Sequence, residues 1–274
     1  MTTVAMVTGA SRGLGRGIAR GLGAEGFIVY VTGRDEAALA EVADEVRAAG
    51  GTPHVARCDH ADDADVARLF ERVRAETGGL DLLVNNAAVV HPELAQPGRF
   101  WEKSLGLSDM ITVGLRSAYV AAYYAMPLML ERDAALIVNI SFYGAVSYHY
   151  GPGYGAAKGG TDKMTYDMGI ELAETPVSVV SLWPGLILTD FIKQIPQEYL
   201  PEEMRQSLPN WETPEFSGHV IAALLRDPAL KQRSGKIVIG AEAAREYGIA
   251  DAAGNQPPDY TATLGIPVSY PHLR

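Results

Sequence analysis

A single cysteine, Cys58, stands in 274 residues. No intrachain disulfide can form, and a zinc site built on cysteines has no ligand set. No apolar run approaches the ~18 residues that a membrane-spanning helix needs. The N-terminus enters a strand-like run at once, without the basic segment that opens a signal peptide. Positive charge is also short: Lys and Arg number 23 against 33 Asp and Glu, a net charge of −10, which argues against nucleic acid as the main partner. No linker or compositional break divides the chain, so residues 1–274 are expected to form one domain. These absences point to a soluble protein of a reduced compartment, the cytoplasm, without membrane partners. Hydrophobic content of 47% and charged content of 20% suit a globular chain with an ample core.

What is present begins at Thr3–Thr8, a short apolar run of the kind that forms a buried strand. The turn Gly9-Ala10-Ser11-Arg12-Gly13-Leu14-Gly15 follows, then Ile18, Ala19 and Leu22 at helical spacing. A strand, a glycine-rich turn and a helix together bring backbone amides to a pyrophosphate at a helix N-terminus. The second strand, Phe27–Thr32, ends at Gly33-Arg34. A chain that binds NAD usually carries an acid ~20 residues after the glycines to hold the ribose 2′-hydroxyl. Here Gly33 takes that place, and Arg34 and Arg12 offer guanidinium groups to a 2′-phosphate. NADP(H) is therefore favoured over NAD(H); the alternative is that Arg34 only ends the strand, with Asp35 capping the next helix.

Helices are expected over 35–49 and 63–77, the second with Val66, Leu69, Phe70 and Val73 inward. Between them, after the strand Pro53–Arg57, Asp59 either accepts from an adenine amino group or is a loop acid. Leu80–Val84 is a buried strand leading to Asn85-Asn86-Ala87-Ala88, where two asparagines, costly to bury unbonded, are expected to tie neighbouring strands together while the backbone passes beside the cofactor ribose. Residues 89–104 read as a loop, and Asp109–Leu130 as one long helix with Pro127 kinking its end. The strand Ala135–Ile140 then delivers Ser141. Strand and helix alternate throughout, so the fold class expected is α/β with a doubly wound parallel sheet.

In Tyr154-x-x-x-Lys158 the two side chains share one face of a helix opened by Gly151-Pro152-Gly153. An ammonium beside a phenol lowers the phenol's pKa, which suits proton exchange with a carbonyl or alcohol oxygen near neutral pH. Ser141 is placed to bond the same oxygen. Phe142, Tyr143, Tyr148, His149, Tyr150 and Trp183 either wall a flat apolar substrate or pack the interior. Residues 190–213 read as short helices broken by prolines, a substrate lid, and the extension 241–274 is expected across the chain's own or a neighbour's cleft.

In order and spacing, Thr8-Gly9-x-x-x-Gly13-x-Gly15, Asp59, Asn85-Asn86-Ala87, Ser141, Tyr154-x-x-x-Lys158 and Pro184-Gly185-x-x-x-Thr189 resemble the short-chain dehydrogenase/reductase family over nearly the whole chain. The resemblance implies a Rossmann-type sheet of about seven strands with helices on both faces. It implies Tyr154 as general acid/base, Ser141 orienting the carbonyl, and Lys158 holding the nicotinamide ribose and lowering the tyrosine pKa. It places the cofactor against Gly9, Ser11, Arg12, Gly13, Leu14, Gly15, Arg34, Asp59, Asn85, Ala87, Pro184, Gly185, Ile187 and Thr189, with no metal. It also implies a homodimer or homotetramer acting on a small carbonyl or alcohol substrate. Two departures stand out: the motif ends in Ala88 instead of glycine, and Gly114 takes the place of the family's catalytic asparagine. The runs VGLRSAY and SLWPGLILTD are similar to one branch that shares this glycine and is associated with NADPH-dependent reduction of steroids and other carbonyl compounds. A 3-oxoacyl-thioester reductase is the alternative within the enzymes, and a non-catalytic NADP(H) sensor the alternative outside them.

Overall fold

The computed structural model describes residues 2–196, 202–252 and 254–270. Seven strands form one sheet in the order β3-β2-β1-β4-β5-β6-β7, with every neighbouring pair parallel. They are β1 (Val4–Val7), β2 (Ile28–Gly33), β3 (Thr52–Arg57), β4 (Leu82–Asn85), β5 (Ala135–Ile140), β6 (Val177–Trp183) and β7 (Lys236–Ile239). The central strands are buried and mostly apolar because helices cover both faces, as a parallel sheet requires.

On one face lie α1 (Gly13–Ala24), α2 (Glu36–Ala48) and α8 (Phe216–Arg226), which bury Ile18, Leu22, Leu39, Val42 and Ile221 against Val29, Val84 and Val138. On the other lie α3 (Asp63–Thr77), α4 (Ser117–Met129) and α5 (Pro152–Glu171), where Val66, Phe70, Ala125 and Leu128 meet Met6, Leu83 and Ile137. Local signals set the helix ends. Asp35 caps α2 through the Ala38 amide, Asp62 caps α3 through Ala64 and Asp65, and Gly78 closes α3 with φ +74°. The short helices α6 (Asp190–Gln194), α7 (Glu202–Ser207), α9 (Leu230–Arg233), α10 (Gly240–Tyr247) and α11 (Thr261–Leu264) complete the described chain. Part of the expected lid, 197–201, and Ala253 and 271–274 of the extension lie outside the described residues.

Strand order reverses between β1 and β4, so connections leave their C-terminal ends in opposite directions and open a crevice there. The expected single helix over 109–130 is corrected. Leu105–Ser108 is a 3₁₀ turn, Met110–Arg116 is π-wound, and only Ser117–Met129 is α-helical. The β-branched run Ile111-Thr112-Val113 ahead of Gly114 favours helix poorly, and Ser117 Oγ bonds back to the Val113 carbonyl.

Candidate active site

Thr8 and Asn86 tie the two strand ends at the crevice. Thr8 Oγ1 donates to the Val84 carbonyl at 3.2 Å and accepts the Asn86 and Ala87 amides at 2.9 and 3.0 Å. Asn86 Nδ2 donates to the Thr8 and Gly9 carbonyls at 2.9 and 3.1 Å. This clasp leaves no room for side chains on the turn. A Cβ on Gly9, which holds φ +66°, would stand 2.8 Å from Ala87 Cα, and one on Gly15 would stand 2.4 Å from Asn86 Nδ2. Gly13 faces open space, its nearest neighbour being Thr189 Cγ2 at 3.9 Å from an added Cβ. Arg12, the N-cap of α1, makes no side-chain cap bond, so no side chain occupies the first-turn amides. A backbone cradle at an uncapped helix start, with Leu14 beside it and Thr189 opposite, fits a dinucleotide pyrophosphate.

Around the cradle the expected contacts divide. Arg12 and Arg34 are exposed and, among the described residues, neither guanidinium has a hydrogen bond or ion pair. Gly33 has ordinary space at its Cβ position, 3.7 Å from Ser11 Oγ. Asp59 Oδ1 accepts the Ala61 amide at 3.0 Å, shaping the turn into α3. The Asn85 side chain ties β4 to its neighbours inside the fold. Its Nδ2 donates to Asn139 Oδ1 at 2.9 Å and to the Ala118 carbonyl at 3.3 Å, and Asn139 passes the chain to Thr165 at 2.9 Å. From this run, Ala87 and not the Asn85 side chain borders the glycine turn.

Ser141, Tyr154 and Lys158 come together where β5 meets α5. Ser141 Oγ donates to the Lys158 carbonyl at 3.2 Å, and Lys158 Nζ donates to the Ile140 carbonyl at 3.0 Å while standing 5.7 Å from the Tyr154 ring centroid. Burial pushes the Lys158 ammonium down to about 8, and the charge of Asp162 opposes that shift. The expectation that Lys158 lowers the Tyr154 phenol is corrected. Burial pushes the phenol up, and Tyr150 adds to the effect. The physical reason is geometric: the ammonium is turned onto a backbone carbonyl, and the phenol is walled by rings. The Tyr150 ring stands edge-on at 5.3 Å, and a Cβ on Gly144 would fall 2.4 Å from Tyr154 Cε1.

The aromatic run sorts into two groups. Phe142, Tyr143 and Trp183 are buried and pack together, whereas Tyr148 is 88% exposed and Tyr150 45%. Tyr150 holds φ +58°, the one left-handed non-glycine among the described residues, at a cost on the order of 1–2 kcal/mol. His149 sits between Phe142 and Tyr150, at 5.2 and 4.5 Å, with burial lowering its pKa. The extension returns to its own chain: the Tyr260 amide donates to Tyr143 Oη at 3.0 Å, and Arg245 pairs with Asp259 at 3.0 Å. At Gly114 an added Cβ meets nothing within 4 Å.

Two buried carboxyls escaped the sequence reading. Glu212 is 1% exposed and its Oε1 accepts the Gly185 amide at 2.7 Å. Its backbone pairs with Leu186 and Leu188 at 2.8 Å each. Residue 212 thereby clamps the Pro184–Thr189 loop, in which Ile187 is bridged to it and Thr189 Oγ1 caps α6 through the Ile192 amide. No composition signal marks a glutamate between Trp211 and Thr213 as buried. Asp162 carried a signal in its spacing, four residues beyond Lys158 on the same helix face.

Burial raises the Glu212 carboxyl from 4.5 to about 7, against the pull of the Gly185 amide and Ser217. A carboxyl raised on folding binds its proton more tightly in the folded state. Its stability contribution is full below the unfolded value of 4.5 and is lost as pH rises through about 7. Glu212→Gln keeps an acceptor for Gly185 and never ionises. Relative to the parent, its unfolding free energy is expected to rise by about 2–3 kcal/mol between about pH 4.5 and 8. Denaturant melts across that range check this, and parallel pH curves for parent and variant would sink it.

A family model described as short chain dehydrogenase matches residues 3–200. Dehydrogenase/reductase SDR family member 1 of Mus musculus is 39% identical over 276 residues, covering 97% of this chain and 88% of that protein. A 3-oxoacyl-(acyl-carrier-protein) reductase of Staphylococcus aureus strain N315 is 34% identical over 212 residues, covering 76% of this chain and 84% of that one. Among solved structures, a chain assigned to the short-chain alcohol dehydrogenases from Sinorhizobium meliloti 1021 matches with a TM-score of 0.74 and 26% identity, over 88% of this chain and 95% of that one. Among the described residues no helix is long and apolar enough to cross a membrane. With the seven-stranded sheet, the glycine cradle and these matches in hand, the chain belongs to the short-chain dehydrogenase family, oxidoreductases of alcohol and carbonyl groups that use a nicotinamide dinucleotide.

Proposed function

We propose that this protein is an NADPH-dependent carbonyl reductase, with Tyr154 as its general acid/base and a bulky apolar, steroid-like ketone or an aldehyde as its substrate. The observation that carries the reading is the meeting of Ser141, Tyr154 and Lys158 at the end of β5, on the same C-terminal edge of the sheet as the Gly9–Gly15 cradle. NADPH, when bound, supplies the hydride that adds to the carbonyl carbon.

Tyr154 supplies the proton. Its partly buried phenol, raised in pKa, is protonated at neutral pH, the form needed to donate to an oxygen as that oxygen gains negative charge. Lys158, with its ammonium on the Ile140 carbonyl and 5.7 Å from the ring centroid, offers its other protons to ribose hydroxyls. Ser141 exchanges its bond to the Lys158 carbonyl for one to the substrate oxygen. The half-exposed Tyr150 and its neighbours His149 and Tyr148 offer an apolar approach to the phenol. Across from them, Leu94, Leu107 and Met110 pack against Tyr154 from the 89–110 segment, and Phe100 and Trp101 on that segment are exposed. Arg12 and Arg34 support the preference for a 2′-phosphate.

Optical measurement of NADPH and NADH oxidation against ketosteroids, quinones, aldehydes and acetoacetyl thioesters tests the reading. Turnover of bulky ketones with NADPH is the expected result. Turnover confined to thioesters would favour a 3-oxoacyl-thioester reductase, the reading that the similarity to the Staphylococcus aureus reductase supports. Silence despite tight NADPH binding would leave a non-catalytic NADP(H) sensor.

A further inference from the structure

Asp162 is 2% exposed on α5, one turn beyond Lys158. Its Oδ1 accepts Ser181 Oγ at 2.5 Å and Trp183 Nε1 at 3.2 Å, both from β6, just before the chain enters Pro184. Its Oδ2 is buried without a hydrogen-bond partner among the described residues. A buried acid held by two donors on one oxygen and none on the other is a poor device for stability, because an apolar residue there would avoid the desolvation cost. It is a good device for placing a charge. The same α5 face carries Tyr154, Lys158 and Asp162 at successive intervals of four.

We propose that Asp162 is a positioning residue for Lys158: its carboxylate, anchored by Ser181 and Trp183, is the counter-charge that keeps the buried ammonium protonated beside Tyr154. The inference rests on the reading of Lys158 as part of the reductase site, and its first test does not use turnover. Without a nearby anion, a buried ammonium with one carbonyl partner sheds its proton readily.

The surroundings leave this role to one residue. Facing the pair are Tyr154 and Tyr166 on α5, His149 and Tyr150 from the preceding loop, and Ser141 from β5. Ser181 and Trp183 face it from β6, and Tyr270 from the extension packs on Tyr166 and senses the Asp162 charge. Burial lowers His149 and raises Tyr154 and Tyr270, so all three are neutral at pH 7. Asp162 is the one charge acting on Lys158 among the described residues. Burial pushes the Asp162 carboxyl up, and Ser181, the neighbouring Ser141 hydroxyl, Trp183 and Lys158 pull it down.

The test is the titration of Lys158 in the full chain, followed by carbon-13 NMR of ε-labelled lysine. Only six lysines are present, and Lys158→Arg assigns the signal. Asp162→Asn keeps an oxygen for Ser181 and Trp183 and removes the charge. The Lys158 midpoint is expected to fall by about one pH unit or more, because removing an anion disfavours the charged ammonium. Asp162→Glu, which restores the charge, is expected to recover most of the shift, and Ser181→Ala, which keeps the charge, to move the midpoint far less than Asp162→Asn. An unchanged midpoint in a folded Asp162→Asn protein overturns the proposal, as does an equal fall in Ser181→Ala. A second measurement needs no variant: the Asp162 carboxyl carbon of the parent must report a carboxylate between about pH 6 and 8, and a protonated carboxyl there overturns the proposal. In the reductase assay, the alkaline limb of kcat/KM should move to lower pH in Asp162→Asn by the same interval. A lysine shift in a chain that turns over no carbonyl would retire the reductase reading and leave this one standing.

Discussion

Tyr154→Phe is expected to lower NADPH-dependent turnover by at least ~10²–10⁴-fold, the usual contribution of a positioned general acid, while NADPH binding stays essentially unchanged. The substitution removes one oxygen and leaves the ring where it is. That ring is seated against the backbone of Gly144, edge-on to Tyr150 and beside Leu94, Leu107 and Met110, contacts that phenylalanine keeps. The phenol is partly buried and makes no hydrogen bond among the described residues, so losing it breaks no internal bond and costs little stability. A thermal melt at or above the parent's, with binding retained by fluorescence titration and turnover lost, would assign the proton to this oxygen. Turnover within about tenfold of the parent would move the acid elsewhere and overturn the mechanism.

The sheet was legible because its signals are local and repeated. Apolar runs such as Thr3–Thr8 and Leu80–Val84 are too short for helices and are bounded by turns, and the Gly9–Gly15 turn states its purpose by following the first of them. Asp35 marked its helix start as an N-cap does. What escaped depends on contacts distant in sequence. The partner of the Asn85 amide, Asn139, lies fifty-four residues on, and no local signal names it. The charge that Lys158 exerts on Tyr154 depends on where the ammonium points, and the Ile140 carbonyl draws it away. Glu212 is buried only because the Pro184–Thr189 loop folds back over it. The π-wound turn at Met110–Arg116 is a case of tertiary packing overriding periodicity: Leu115 lies so close to Gly160 that a Cβ there would stand 2.6 Å from Leu115 Cδ2. The same winding carries Gly114, where an added Cβ would meet nothing within 4 Å.

Replacing both Arg12 and Arg34 by alanine is expected to weaken NADPH binding by about 10²-fold and NADH binding by no more than about threefold. Charge-assisted bonds contribute about 1.5–3 kcal/mol each when shielded, and exposure brings each of these to the lower end of that range. Both guanidiniums are exposed, on the turn after β1 and at the end of β2, and neither makes a hydrogen bond or ion pair among the described residues. Their removal therefore breaks no internal bond, which separates loss of phosphate recognition from loss of fold. Because the pair acts through solvent, the NADPH advantage of the parent should shrink as salt rises from about 0.01 to 1 M, whereas the double variant should show little salt dependence. Gly33→Asp supplies the complementary change. The Cβ position there has ordinary space beside Ser11 and Leu39, and a carboxylate would accept from a 2′-hydroxyl and repel a 2′-phosphate, carrying the preference towards NADH. Equal losses for the two dinucleotides in the double variant would mean that these arginines do not meet the 2′-phosphate. Gly33 would then mark only the end of a strand, and the preference for NADPH would lose its physical basis.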